Sequence, residues 1–377
     1  MTSVRKSRWF SVHRWLGIAL GLWFTLVGLT GSVLVFEDPL DAWLNPTLLT
    51  SPERGPWLPP EALLARVEEQ HEQLGRVERI RPPGAPGEVY RLIYRVQPDK
   101  RIRVDRIEAT FAPVSGRLLG TRPVEALGLK APQLMKTIYV FHRNVLLGTA
   151  GSNIVGIAGF LLLASAISGF VVAVPRKADG WKRLLHVNWR SNRTRVFFYL
   201  HRSTGIVFAV LLMLATLTGS TLVYVNYVRD FVNVFSPVKS FPTIPWTPGL
   251  PDDSAEFGKV IDVVRSAYPE RAITEIHVPF RQTAGYLFYL RRPGDEYRLG
   301  DTIAWVNPVT ARVLVERSDR TRSAGETLMH WFFPLHSGTA FGTPGMVAMC
   351  LTGLTPLLLV TTGLAVWLRK RRGERLG

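Results

Sequence analysis

Four runs of the chain are almost purely apolar. Residues 15–36, 153–174, 204–225 and 346–367 meet no Asp, Glu, Lys or Arg until their ends. Each matches the ~20 residues that an α-helix needs to cross a hydrocarbon core of ~30 Å. Between these runs the polarity changes with a shorter period. The stretch "PEALLARVEEQHEQL" (60–74) has apolar positions at helical spacing, and "VYRLIYRV" and "RIRVDRIEATF" alternate with period two before a turn at "APVSG". The pattern then recurs: a helix near "SAEFGKVIDVVRSAY", strands near "ITEIHV", "GYLFYLRR" and "DTIAWV", and a turn at "NPVTA". The expected fold class is an α-helical membrane protein with four spans, carrying two small α+β domains outside the bilayer.

The recurrence has a fixed offset. A shift of 188 places His13 on His201, Arg14 on Arg202, Gly17 on Gly205 and Thr30-Gly31-Ser32 on Thr218-Gly219-Ser220. A shift of 194 or 195 places His142 on His336, Gly151 on Gly345, Gly159 on Gly353, Gly169 on Gly363, and "FAPVSGRLL" on "VNPVTARVL". Two copies of span, domain, span running in the same direction are expected. Parallel copies of this kind are related by a pseudo-two-fold axis along the membrane normal, which puts matched residues at equal depth.

Charge orients the spans. The chain has 377 residues, 47% of them hydrophobic, yet a formal charge of +17. The excess lies in the N-terminal tail (Arg5, Lys6, Arg8, Arg14), the segment between the second and third runs (Arg176, Lys177, Lys182, Arg183, Arg190, Arg193, Arg195, Arg202) and the C-terminal tail (Arg369, Lys370, Arg371, Arg372, Arg375), opposed only by Asp179 and Glu374. The positive-inside rule makes these three segments cytoplasmic. The basic balance therefore reads as topology. No nucleic-acid partner is expected, because no base-reading or stacking motif accompanies it. The first run is long for a signal peptide and "FEDPLDAWL" offers no small-x-small cleavage site, so a retained span is expected. The lone Cys350 excludes internal disulfides, CxxCH haem attachment and thiolate zinc sites, and reads as a small packing residue.

Of eight histidines, four belong to the repeat. His13 and His201 stand at the cytoplasmic ends of the first and third spans. His142 and His336 precede the second and fourth spans on the outer side. Crossing ~20 residues outward from Pro175 or Arg369 stops short of both, so "GTAGSN" (148–153) and "GTPG" (342–345) are expected to break the helices and fold each histidine back over the membrane. By symmetry His13 faces His201, and His142 faces His336. Two imidazoles from opposite sides suit a six-coordinate haem iron, non-covalent and b-type in the absence of CxxCH. Gly17, Gly21, Gly205 and the pair Gly31/Gly219 would let helices approach a flat macrocycle, and Arg14, Arg202 and Arg143, each following a histidine, would pair with propionates. The same residues also admit a plainer interfacial and helix-packing role, or a zinc site, which usually wants further Cys, Asp or Glu ligands. His71 and His277 are expected on domain surfaces and His186 at the interface. His330, Trp331, Phe332 and Phe333 are expected in an aromatic belt or as a wall of an external pocket.

The segments "HRWLG" (13–17), "HRSTG" (201–205), "FHRNVLLG" (141–148) and "PLHSGTAFG" (334–342), with the turns "APVSGRLL" and "NPVTARVL", resemble the PepSY-associated transmembrane family over nearly the full length. The turns are similar to the V-x-P-x-S/T-G-x-L/V signature of PepSY domains, with Ala311 in place of the glycine in the second. Members include haem-containing reductases of the bacterial inner membrane that act on iron–siderophore complexes, those of the ferrioxamine type among them. The resemblance implies two bis-histidine haem b groups, held by His13 with His201 and by His142 with His336, and an acceptor that is a ferric siderophore or other ferric chelate in the periplasm. No GxGxxG loop or other nucleotide motif is present, so the expected donor is another, cytoplasmic protein or a membrane quinol. Other classes are a PepSY protein regulating a periplasmic peptidase, which leaves the four histidines unexplained, and an iron-chelate permease, against which the spans offer no ionisable pathway.

The expected layout follows: cytoplasmic tail and first span (1–36), first periplasmic domain (37–130), ligand segment and second span (131–175), and basic cytoplasmic loop (176–203). The second half has the third span (204–225), second periplasmic domain (226–328), ligand segment and fourth span (329–368), and cytoplasmic tail (369–377).

Overall fold

A computed structural model describes residues 3–96, 106–175, 180–239, 254–279, 285–295 and 297–374. The start of the expected strand at 101–111 lies outside the described residues, as do Arg176, Lys177, Asp179 and Arg375 of the basic segments. Helices and strands are numbered here in chain order. The chain divides into two compact units. One gathers Met1–Phe36, Ile138–Phe231 and Met329–Gly377; the other gathers Glu37–Thr137 and Val232–Leu328.

The first unit is built on four long helices: α1 (Ser3–Leu34), α6 (Gly148–Ala173), α8 (Arg193–Val223) and α12 (Gly342–Glu374). Among the described residues these four are long and apolar enough to cross a membrane. They close a ring in which α1 packs on α6, α6 on α8, α8 on α12 and α12 on α1. Small residues set the close approaches. A Cβ on Gly28 would lie 2.4 Å from the Gly353 carbonyl, and one on Gly159 would lie 2.3 Å from Ser220 Oγ. In lipid, helices associate through such backbone contact and interhelical hydrogen bonds. Ser32 Oγ donates to the Cys350 carbonyl at 2.7 Å, and Ser220 Oγ donates to the Gly156 carbonyl at 3.1 Å. Residues matched by the two offsets thus make matched contacts, and Cys350 occupies the place that Gly156 takes on the other side.

Two shorter helices, α5 (Ala131–Asn144) and α11 (Ala324–Ser337), lead into α6 and α12. The breaks come one turn earlier than "GTAGSN" and "GTPG" suggest. Val145 (φ 46°) and Leu146 (φ 65°) begin the reversal after α5, and Gly338 (φ 82°) does so after α11; the first glycine of each expected breaker, Gly148 (φ 58°) or Gly342 (φ 59°), completes it, and the residues that follow form the first turns of the spans. The remaining short helices are α2 (Glu37–Leu44), α3 (Pro46–Leu49), α4 (Pro60–Gln70), α7 (Gly180–Leu184), α9 (Val225–Phe235) and α10 (Ser254–Ala267).

The second unit holds β1 (Arg76–Arg81), β2 (Tyr90–Arg95), β3 (Arg106–Phe111), β4 (Leu118–Pro123), β5 (Ala272–His277), β6 (Tyr286–Arg291), β7 (Thr302–Val306) and β8 (Val313–Arg317). The sequence suggests two separate domains, but all eight strands join one antiparallel sheet of order β4-β3-β2-β1-β5-β6-β7-β8. Its seam is the short β1–β5 pairing, Arg79 with His277 and Ile80 with Ile276. One face is apolar: Leu92, Phe111, Ile276 and Phe288 pack with Leu63 of α4 and Phe257 of α10 in one core. The turn before β8 keeps the left-handed backbone although Ala311 (φ 52°) replaces the glycine; Gly116 (φ 70°) serves in the first copy.

The opposite face is an ion-pair lattice. Glu108 accepts from Arg91 Nε at 2.7 Å and Arg122 Nε at 2.5 Å, and Asp41 of α2 accepts from Arg122 at 2.8 Å. Glu275 is 3% exposed beside Arg79, Arg81 and His277. His277 is therefore half-buried at the seam, not on the surface, because β1–β5 pairing sets Arg79 opposite it. His71 is also half-buried, against Phe111.

Burial alone would raise both carboxyls. For Glu108, Arg91 and Arg122 outweigh it and hold the group down at about 2. For Glu275, the His277 hydrogen bond and the charges of Arg79 and Arg81 do the same, again to about 2. A folded value below the unfolded one (~4.3) means that each group's stabilisation is complete above that value and disappears as pH falls towards 2, by about 3 kcal/mol per group at most. Thermal unfolding of the full chain followed by strand circular dichroism should therefore weaken between about pH 4.5 and 2. Glu108→Gln should cost about 3 kcal/mol at neutral pH, by leaving Arg91 and Arg122 short of charge, and should flatten that acid decline. A variant with the parent's acid profile rules the lattice out as its cause.

Candidate functional site

The first unit brings the four repeat histidines together in two pairs. The His13 and His201 ring centres lie 5.9 Å apart with the planes at 71°; those of His142 and His336 lie 6.2 Å apart at 44°. α1 and α8, which carry the first pair, stand diagonally across the helix ring. His142 and His336 stand in the last turns of α5 and α11.

Each imidazole is fastened to a span other than the helix that carries it. His13 Nδ1 bonds the Ser165 carbonyl of α6 at 2.9 Å, and His142 Nδ1 bonds the Val27 carbonyl of α1 at 3.0 Å. His201 Nδ1 bonds the Leu359 carbonyl of α12 at 2.9 Å, and His336 Nδ1 bonds the Ala215 carbonyl of α8 at 3.0 Å. A carbonyl oxygen has no proton to give, so Nδ1 carries it in all four rings. The lone pair of the neutral ring is then on Nε2, the atom a metal takes. A glycine four residues after each carbonyl makes room for the ring. A Cβ on Gly169, Gly31, Gly363 or Gly219 would meet the Cε1 of His13, His142, His201 or His336 at 2.7, 2.9, 3.1 or 2.8 Å. This corrects the expected role of Gly31 and Gly219, which admit an imidazole. Gly21 faces Val360 of α12.

Along α1 the His13 level and the Val27 level are 14 residues apart (27 − 13), and along α8 His201 and Ala215 are likewise 14 apart (215 − 201). At 1.5 Å per residue the two layers are separated by about 21 Å.

A cavity of about 870 Å³ lies at the first layer, lined by His13, His201 and residues of all four spans. That is the size range of small-molecule and cofactor sites. Gly17 and Gly205, one turn beyond the two histidines, line it, and a Cβ on Gly17 would touch nothing within 4 Å. Both leave the room a flat group needs. The charged heads on its described lining are all cationic: Arg14, Arg202, Lys370 and Arg371. Arg14 Nε is buried with no hydrogen-bond partner among the described residues, while its guanidinium lies over Trp15 at 5.4 Å. Arg202 stacks on Tyr199 at 5.3 Å and donates to the His186 carbonyl at 3.3 Å. His186 itself is exposed. Arg143 is exposed on α5 and has no place on this cavity. His330 lies edge-on to Trp331, which is exposed together with Phe333.

The donor set decides which metals suit. Among the described residues no three of His, Cys, Asp and Glu come together. Zinc sites take three or four protein ligands, whereas a haem brings four nitrogens and needs two. With metal–nitrogen bonds of about 2.0–2.1 Å and about 1.1 Å from nitrogen to ring centre, opposed imidazoles put their centres about 6.3 Å apart. Both observed separations are within half an ångström of that. The residues present fit a bis-histidine haem at the first layer, where the cavity lies, and offer the same facing pair of imidazoles at the second.

Two features escaped the sequence reading. Lys370 and Arg371 read there only as a basic tail. The Ser/Thr-Gly dipeptides Thr30-Gly31, Ser168-Gly169, Thr218-Gly219 and Thr362-Gly363 stand one on each span, and their match at the two offsets was the available signal.

Four apolar helices enclosing paired histidines define a multi-pass helical membrane protein. The chain belongs to the family of the PepSY-associated TM region, whose match runs over residues 10–370. No curated protein matches it.

The turns that deliver His142 and His336 depend on two glycines. A Cβ on Gly151 would sit 1.8 Å from the Asn144 carbonyl, and one on Gly345 would sit 2.2 Å from the Gly338 carbonyl. Both neighbours are backbone, so the α5–α6 or α11–α12 turn must open. Gly151→Ala and Gly345→Ala should each lower stability by roughly 2 kcal/mol despite the better helix propensity of alanine. Gly258→Ala, on an open face of α10, should raise it by about 0.5–1 kcal/mol. Thermal unfolding in detergent checks this; equal effects at all three positions would contradict the close-approach argument.

Proposed function

We propose that this protein is a di-haem membrane oxidoreductase that carries electrons from the cytoplasmic side of a bacterial inner membrane to a periplasmic ferric siderophore or similar ferric chelate. His13 and His201 hold one haem b and His142 and His336 the other. The single observation that carries the reading is the fourfold one: every histidine of two facing pairs is fixed as the Nδ1–H form by a carbonyl of a different helix. A merely interfacial histidine has no need of a chosen tautomer.

Bound there, haem iron supplies one-electron transfer, and an Fe(III) siderophore reduced to Fe(II) loosens its hard oxygen ligands. The chain's own residues do the rest. The spans keep the imidazoles in an apolar surround; Arg14 and Arg202, with Lys370 and Arg371, offer charge to the propionates of the first layer. Arg143, exposed beside His142, is the candidate for the second. On this reading the bundle is two parallel copies about a pseudo-two-fold axis. The termini and the Arg-rich segment before α8 are cytoplasmic, and the sheet-bearing segments lie outside. The electron donor is a cytoplasmic protein or a membrane quinol. Outer-sphere transfer asks for no general acid or base, so the site's shortage of carboxylates is no obstacle.

The purified full chain should be red, with a Soret band that shifts on dithionite. His13→Ala and His336→Ala should each remove about half the haem, because each empties one bis-histidine layer, and His336→Ala should abolish reduction of an external ferric chelate. A colourless preparation, or both variants retaining full haem, overturns the proposal.

A further inference from the structure

Beside each carbonyl that fixes a histidine stands a hydroxyl that the haem reading does not require. Thr30 Oγ1 is 3.3 Å from His142 Nδ1, Ser168 Oγ is 3.4 Å from His13 Nδ1, Thr362 Oγ1 is 3.3 Å from His201 Nδ1, and Thr218 Oγ1 is 3.2 Å from His336 Nδ1. In each case the hydroxyl sits three residues after the carbonyl and one before the glycine: Val27/Thr30/Gly31, Ser165/Ser168/Gly169, Ala215/Thr218/Gly219 and Leu359/Thr362/Gly363. The same three-part socket is thus built four times, on four spans.

The hydroxyl protons are spoken for. Thr30 donates to the Leu26 and Val27 carbonyls at 2.9 Å, Ser168 to Ser165 at 2.8 Å, Thr218 to Leu214 at 2.7 Å and Thr362 to Leu358 at 2.6 Å. What each oxygen turns towards the imidazole is therefore a lone pair. The Nδ1–H proton meets two acceptors, the carbonyl at 2.9–3.0 Å and the hydroxyl a few tenths of an ångström further out. Ser168, Thr218 and Thr362 are at most 3% exposed, so no water competes. Back-bonded Ser and Thr are neutral to unfavourable inside helices, so helix formation alone does not account for a hydroxyl at these four places.

We propose that Thr30, Ser168, Thr218 and Thr362 are positioning residues that set the electron-donating strength and ring orientation of the four histidines. The inference rests on the bis-histidine haem reading and deepens it. An acceptor facing Nδ1–H pushes electron density onto Nε2, and a more basic axial ligand favours ferric over ferrous iron. Each hydroxyl therefore holds the potential of its own layer down. Because the carbonyl is the nearer acceptor, losing the hydroxyl leaves the histidine in place and the haem bound.

The test is redox titration of the purified, haem-loaded full chain, with haem content and the low-spin ferric electron paramagnetic resonance signal recorded alongside. Thr30→Val, Thr218→Val, Thr362→Val and Ser168→Ala should each retain haem and raise one midpoint by the equivalent of about a threefold change in the ferrous-to-ferric ratio, ~28 mV for one electron. Thr30→Val and Thr218→Val should move the same component; Ser168→Ala and Thr362→Val should move the other. Thr30→Ser, Thr218→Ser and Thr362→Ser should restore the parent value. Thr361→Val is the control, since among the described residues its hydroxyl bonds only the Leu357 and Leu358 carbonyls. Four haem-replete variants with parent midpoints, or a Thr361→Val shift as large as theirs, overturn the inference and leave the haem reading standing. A parent protein without haem overturns both.

Discussion

The bond from histidine Nδ1–H to a carbonyl on a neighbouring span is the constraint on which the membrane unit depends. A helical carbonyl already accepts one backbone N–H and has a second lone pair free, so a ring can be fastened to it without opening the helix. In hydrocarbon that bond also settles a polar group that water cannot reach. It ties α1 to α6 through His13, α12 to α8 through His201, α5 to α1 through His142 and α11 to α8 through His336. The interactions that choose the tautomer are therefore the ones that fix which helices are neighbours. Fold and site share the same atoms.

Bringing an imidazole onto another helix's backbone demands a place without a side chain. That is why Gly31, Gly169, Gly219 and Gly363 stand where they do, and why the spans contain more glycine than bilayer crossing asks for. The Gly28–Gly353 and Gly159–Ser220 contacts serve helix approach instead, at the level of the second histidine pair, where Gly28 follows Val27 and Ser220 follows Gly219. Two uses of glycine thus stand side by side on the spans. A reading by residue type merges them, and only the neighbouring atoms separate them.

The spans and the histidine pairs were legible because both come from period and offset, which local sequence carries directly. The single eight-stranded sheet was not. Its seam joins Arg79 to His277 across about two hundred residues through only two residue pairs, and edge pairing leaves no mark in the alternation of either strand. Of the break before α6, only its end at Gly148 was legible. Val145 and Leu146 take left-handed backbone without any turn-forming residue type, so "GTAGSN" drew attention away from them. Sequence adjacency does not give Arg143 and His142 one direction, because a helix turns successive side chains by about 100°. Arg143 points to the exposed side while its neighbour is held inside.

The matched halves differ most where no histidine is held. In the sheet unit Gly116 corresponds to Ala311, and the second copy bears an alanine in left-handed backbone. α2 brings Asp41 onto Arg122, while the matched position in α9 is Arg229, which pairs with its own neighbour Asp230. In the bundle, by contrast, carbonyl, hydroxyl, glycine and imidazole keep one geometry at four sites to within a few tenths of an ångström. A soluble domain has many ways to offset a lost contact, because water accepts whatever is left unpaired. A ring held between spans has none, since a proton on the wrong nitrogen would face a carbonyl lone pair with another lone pair. The sheet halves can therefore drift apart in detail while the four sockets cannot, and the degree of internal likeness follows the dielectric surroundings of each part.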